Sequence, residues 1–145
     1  MTDTLTAVVK ERTLPCSPEV AFTLFTDRMG EWWPVDPHSV AGDRVASITV
    51  EPLVGGFVYE TDVAGVRVDW ALVTLYDAPH RLVMDWYPGR TPDEATRVEV
   101  TFTVADDGCL LRLTHSGWDA DAAERRAGYE TGWDLVLDAL VAAER

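Results

Sequence analysis

The sequence predicts an α+β domain in which a curved antiparallel sheet of about seven strands wraps one long C-terminal helix, with two short helices after the first strand. Three observations lead to this. From Ala46 to Leu113 apolar residues recur with a period of two, in short runs divided by turn signals. In the last quarter a helical period takes over and runs to Arg145. The helical pieces between the first strand and the meander are short, so only the C-terminal helix is long enough to cover the dry face of a half-polar sheet.

Leu5 to Leu14 reads as the first strand, stopped by Pro15. Ser17 then stands as a helix N-cap with Pro18 at the first helical position, and Val20, Ala21, Leu24 and Phe25 follow at helical spacing. A second helical piece over Arg28 to Trp33 is closed by Pro34, and residues 35–39 read as loop. Ile48 and Val50 alternate toward a turn at Pro52 to Gly56. Phe57, Tyr59 and Thr61 return from it, and we place them inward. After Ala64-Gly65, Val66, Val68, Trp70, Leu72, Thr74 and Tyr76 share one face of the longest alternation. Leu82, Met84 and Trp86 share the next, and Gly89 to Glu94 is a polar loop. Thr96, Val98, Val100, Phe102 and Val104 alternate toward Asp106-Asp107-Gly108, which closes a hairpin onto Leu111 and Leu113. By the same parity Glu60, Asp69 and Asp85 point to solvent.

The final helix opens on a capping box of Asp121 and Glu124, with Asp119 as the competing cap. Tyr129, Trp133, Val136, Leu137, Leu140 and Val141 draw its apolar stripe. Gly128 and Gly132 lie one turn apart beside that stripe, and each interior glycine costs about 1 kcal/mol relative to alanine. A bare flank at that cost implies either a backbone in close approach or space left for a ligand. Glu130, Asp134 and Asp138 form an acidic ridge at i,i+4 spacing, read as a solvated face.

Composition bounds the class. At 145 residues, 47% hydrophobic and 26% charged, residues 1–145 fit one globular domain without linker or repeat. A net charge of −13 repels nucleic-acid phosphates and anionic membranes, so neither is expected as a partner. Cys16 and Cys109 lack metal-type spacing and fit free thiols in a reducing cytoplasm. No basic segment precedes an apolar core at the N-terminus, and no apolar run reaches membrane-spanning length. One lysine against eleven arginines points to a GC-rich bacterial coding bias.

Several pieces, in order, resemble a known family. The Pro18-Glu19-Val20-Ala21-Phe22 helix start, the Gly55-Gly56-Phe57 turn, Thr114-His115-Ser116-Gly117-Trp118, and then Gly132-Trp133 and Leu137-Asp138-Ala139-Leu140 are similar to the SRPBCC superfamily. More closely, the chain resembles domains homologous to the activator of Hsp90 ATPase. The resemblance implies the helix-grip (Bet v1-like, START-like) fold, which often leaves an apolar cavity between sheet and helix. It implies no single activity, because the superfamily includes lipid carriers, hormone receptors, polyketide aromatases and cyclases, and co-chaperone domains. The eukaryotic co-chaperone carries much of its Hsp90 contact on a separate N-terminal domain, for which 145 residues leave no room. Direct Hsp90 activation is therefore not expected.

The expected ligand is a small hydrophobic or aromatic molecule, with no cofactor, and a homodimer is left open. Phe57, Tyr59, Trp70, Trp86, Phe102, His115, Tyr129, Gly132 and Trp133 are the candidate lining residues. Flat aromatic walls bind planar rings, and an indole N–H or the phenol O–H orients a carbonyl. His115 either hydrogen-bonds the turn at Ser116-Gly117 or serves as acid or base of a cyclase or dehydratase. Trp32 and Trp33 form a lid, an interaction patch or a plug. Cys16 precedes a helix N-terminus, which lowers a thiol pKa, but has no histidine beside it in sequence. His38, His80 and His115 lack the close spacing of a zinc site, so no metal is expected. A void of about 300 Å³ or more between sheet and helix favours a small ligand, whereas a volume filled by Trp70, Trp86 and Trp133 favours a protein partner.

Overall fold

The computed structural model describes residues 5–144. Strand β1 (Val8–Leu14) is followed by three short helices, α1 (Pro18–Phe25), α2 (Met29–Trp32) and α3 (Val35–His38). Six strands come next: β2 (Val45–Val50), β3 (Phe57–Asp62), β4 (Arg67–Asp77), β5 (Arg81–Trp86), β6 (Thr96–Ala105) and β7 (Gly108–Ser116). Helix α4 (Ala123–Glu144) ends the described chain. The seven strands form one curled antiparallel sheet in the order β1-β7-β6-β5-β4-β3-β2, and α4 lies within its curve, which is the helix-grip arrangement. No helix of the described residues is long and apolar enough to cross a membrane.

Short connections impose the meander, and β1 closes it by pairing with β7 from Val8↔His115 to Leu14↔Cys109. Ser17 caps α1 as its spacing implies, its Oγ accepting from the Val20 N–H at 3.3 Å. Helix α1 packs on β6 and β7, α2 on β2, and α4 on β1, α1 and α2. Trp133, Val136, Leu137 and Leu140 of the predicted stripe are buried, with Tyr129 and Val141 at its half-buried margin.

The differences from the sequence reading have identifiable causes. Residues 5–7 precede the first strand instead of belonging to it. The segment read as loop contains the turn α3, broken by an extended Asp36, and the loop after Gly89 contains a 3₁₀ turn over Pro92–Glu94. Strand β3 faces the other way: Ile48↔Glu60 and Val50↔Val58 are the inward pairs, and Phe57 and Tyr59 point out. Strict alternation along β4 fails at two bulges. Val58 faces Ala71 while Tyr59 faces Asp69, and Val73 faces Met84 while Leu75 faces Val83, so Trp70 and Thr74 are the extra residues. Trp70 therefore stays inside while Leu72 and Thr74 leave the predicted inner face for Ala71 and Val73. Val104 is 77% exposed, beyond the edge of the core.

A 3₁₀ turn over Ala120–Ala122 leads into α4 and contains Asp121, so the expected capping box does not form. Nor is the acidic ridge merely solvated. Lys10 Nζ lies 3.0 Å from Asp134, and Arg12 reaches Asp134 at 2.9 Å and Asp138 at 3.2 Å, tying α4 to the edge strand β1. These hydrogen bonds, from Arg12 first and then Lys10, hold the Asp134 carboxyl below the usual carboxylate range.

Candidate functional site: an aromatic cleft between the sheet and the C-terminal helix

A cleft of about 400 Å³ separates the sheet from the first half of α4. Trp70 and Trp86 reach it from adjacent strands. Trp33, His38 and Val40 close it from the segment after α2. Arg125, Gly128, Tyr129, Gly132, Trp133 and Val136 supply the helix wall. Those positions recur every three or four residues, so they share one face of α4. Neither glycine is met by another backbone. A Cβ on Gly128 would have nothing within 4 Å, and one on Gly132 would meet the His38 ring at 3.6 Å. Of the two explanations for the bare flank, open space is the one observed.

Four indoles form the wall. Trp33 lies 5.0 Å from Trp70, 6.1 Å from Trp86 and 6.0 Å from Trp133 between ring centres, and Trp86 lies 5.4 Å from Trp133. Every one of their N–H groups is satisfied within the protein. Trp33 donates to the His38 carbonyl (2.7 Å), Trp70 to Glu60 (2.7 Å), Trp86 to the Tyr129 hydroxyl (3.2 Å) and Trp133 to His115 Nδ1 (3.0 Å). The rings are thus fixed in place, and no indole N–H remains to orient a carbonyl. The Tyr129 oxygen accepts from Trp86 and its own O–H has no acceptor among the described residues, so the phenol keeps a free donor. Burial raises its pKa, so it stays protonated.

Four of the candidate residues stand outside the cleft. Phe57 and Tyr59 lie on the outer sheet face beneath the Arg67 guanidinium, 3.8 Å from the Tyr59 ring centre, because of the inverted parity of β3. Phe102 packs with Phe22 and Phe25 under α1. His115 is fully buried behind Trp133 and is not a lining residue. Since an indole N–H only donates, His115 Nδ1 must accept from Trp133, which places the ring proton on Nε2, 2.6 Å from Thr96 Oγ1. Thr96 in turn donates to the Trp86 carbonyl. Burial, with the Arg125 charge as a lesser cause, lowers the His115 pKa to about 3. A neutral imidazole with both nitrogens engaged is a brace between α4 and the sheet, not an acid or base facing the cleft. Its carbonyl also holds the Trp118 N–H at 2.8 Å.

Glu60 was expected in solvent and is instead 0% exposed. Its carboxylate accepts from the Val40 N–H (2.7 Å), the Ala41 N–H (2.8 Å) and Trp70 Nε1, so one side chain fixes both an indole and the loop wall. No sequence signal singles it out, because β3 carries apolar residues on both faces. His38 was read as a loop residue, yet its ring lies against Gly132, and its Nε2 is buried without a partner among the described residues. Arg125 stands at the rim. Its guanidinium lies 5.5 Å from the Trp118 ring centre and contacts the Glu94 carbonyl at 3.5 Å, with no ion pair among the described residues. Cys16 is no activated nucleophile: burial first, then the Glu144 carboxylate, push its thiol up to about 12.

The family model described as activator of Hsp90 ATPase homolog 1-like protein matches residues 15–144. No curated protein matches the chain. Among solved structures, the Aha1 dimer from Colwellia psychrerythraea is similar at 18% identity and TM-score 0.72, over 96% of each chain. A Bacillus halodurans protein is similar at 16% identity and TM-score 0.72 over 100% of both chains. A Mesorhizobium loti protein is similar at 22% identity and TM-score 0.69 over 94% of each. At such identities these likenesses concern the fold alone.

Proposed function

The chain belongs to the activator of Hsp90 ATPase homolog 1-like family, and from that premise we propose that it binds a small, largely apolar or aromatic molecule in the cleft between the sheet and α4. The observation that carries this reading is the void of about 400 Å³ beside a glycine-bare helix flank, walled by indoles whose N–H groups are already satisfied. Its size falls in the range of small-molecule sites, roughly 300 to 1,000 Å³, and its fixed aromatic walls keep the ordering cost of binding low.

The cleft is built from one chain, so a homodimer like that of the Colwellia protein is compatible with it but not needed to complete it. A cyclase or dehydratase has less support, because His115 offers the cleft no titrating group. The free thiols Cys16 and Cys109 fit a cytoplasmic carrier. Native mass spectrometry of the purified protein, followed by titration with lipids and aromatic polyketides read by tryptophan emission, tests the proposal. A retained small molecule or saturable quenching is expected. An empty protein with no uptake from either class would sink it.

A further inference from the structure

Resting on that cleft reading, we infer that the ligand is a planar aromatic acid, bound as its anion by Arg125 at the rim with the Tyr129 hydroxyl as second donor. The charge pattern is the first argument. Of 145 residues 25 are Asp or Glu, yet none lines the cleft, where Arg125 is the one arginine or lysine. The second argument is availability. Arg12, Arg28, Arg67, Arg81, Arg90 and Arg112 all form ion pairs, whereas Arg125 forms none among the described residues. Asp93, Asp119 and Asp121 border its outer side beyond ion-pairing distance, and Glu94 there is taken by Arg90 and Thr91.

Donor geometry is the third argument. Arg125 and Tyr129 are one helical turn apart on the face of α4 that lines the cleft, with the Arg125 guanidinium held at its outer end against Trp118 and the Glu94 carbonyl and the free phenol O–H one turn further in. With the four indole N–H groups spent and the Ser39 hydroxyl donated to the Val35 carbonyl, the Arg125 and Tyr129 side chains are the donors left for a ligand's polar end. A group with several acceptors and a negative charge answers that set, and a carboxylate on a flat ring system also answers the indole walls. The overall charge of −13 works against any anion, so a preference for one must come from the local site.

The experiment compares 2-naphthoate with its neutral counterpart 2-naphthamide by quenching of tryptophan emission, near pH 7 and at about 0.15 M salt. Naphthoate is expected to bind about tenfold or more tightly, as a charged hydrogen-bonded pair contributes. Arg125→Gln should erase that gap while leaving naphthamide affinity within about threefold, and Arg125→Lys should restore part of it. Tyr129→Phe should narrow it by a few-fold. Equal binding of the two probes, or tighter binding of the amide, would overturn the anion inference and leave the cleft reading standing. An equal loss for both probes in Arg125→Gln would also overturn it. Binding of neither at about 1 mM would overturn this inference, while the cleft reading would then be decided by the lipid and polyketide titration.

Discussion

The interior has two ends built from similar side chains, and one is solid while the other is hollow. Under α1, Phe22 meets Phe102 at 5.2 Å and Tyr76 at 5.3 Å, and Phe25 meets Phe102 at 6.0 Å, all edge to face. The later turns of α4 bring the fully buried Leu137 and Leu140 to the same core. Around the first turns of α4, the indoles are spaced as closely, at 5.0 to 6.1 Å, yet leave a void of about 400 Å³. The difference lies in the opposing element: leucine in one half of the helix, Gly128 and Gly132 in the other. Aromatic content therefore does not separate a core from a cavity. The small residues facing it do.

If the ends are independent, emptying the solid one should cost stability and spare binding. Phe102→Ala should destabilise by about 3 to 5 kcal/mol in urea unfolding, as for other large-to-small changes in a closed core. Naphthoate affinity should remain within about threefold. A loss of binding as large as the loss of stability would show that the two ends form a single unit.

His115 is the brace behind the hollow end, and its titration tests how firmly that end is held. Its folded pKa of about 3 lies below the ordinary 6.5, so its contribution is complete above pH 6.5 and declines as pH falls toward 3. Between about pH 6.5 and 5 the protein should lose about 2 kcal/mol. Carboxylates such as Asp134 take effect only at lower pH. His115→Gln keeps one acceptor for Trp133 and one donor for Thr96 but cannot take a proton, so its stability should be nearly flat over that window. The same slope in both proteins would assign the loss to other groups.

Sequence and structure agree where the information is local. Period two and period 3.6 define the meander and α4, and the cost of Gly128 and Gly132 marks a bare flank, for which the sequence leaves close backbone approach and open space as alternatives. Parity was lost where it is not local. Phe57-Val58-Tyr59 is apolar on both faces, so only pairing with β2 decides which way β3 turns, and that choice carries Glu60 from solvent to the interior. The bulges at Trp70 and Thr74 shift β4 by a residue and leave no mark in its alternation. His38 and Arg125 escaped for another reason. One sits on a loop and the other on a helix turn, and only the packing of α4 against the segment after α2 brings both to one cleft.

The smallest expected effect bears most directly on the comparison, because it separates what Gly128 costs from what it permits. An alanine there meets nothing within 4 Å and removes an interior helical glycine, so Gly128→Ala should raise stability by up to about 1 kcal/mol and leave naphthoate binding unchanged. Gly128→Leu should keep most of that gain while its side chain occupies the cleft, cutting affinity by about tenfold or more. Paired urea unfolding and tryptophan quenching on the two variants read both quantities. Stabilisation without loss of binding in the leucine variant would mean that the hollow beside Gly128 is not where the ligand sits. A destabilised alanine variant would mean that the bare flank serves a packing role.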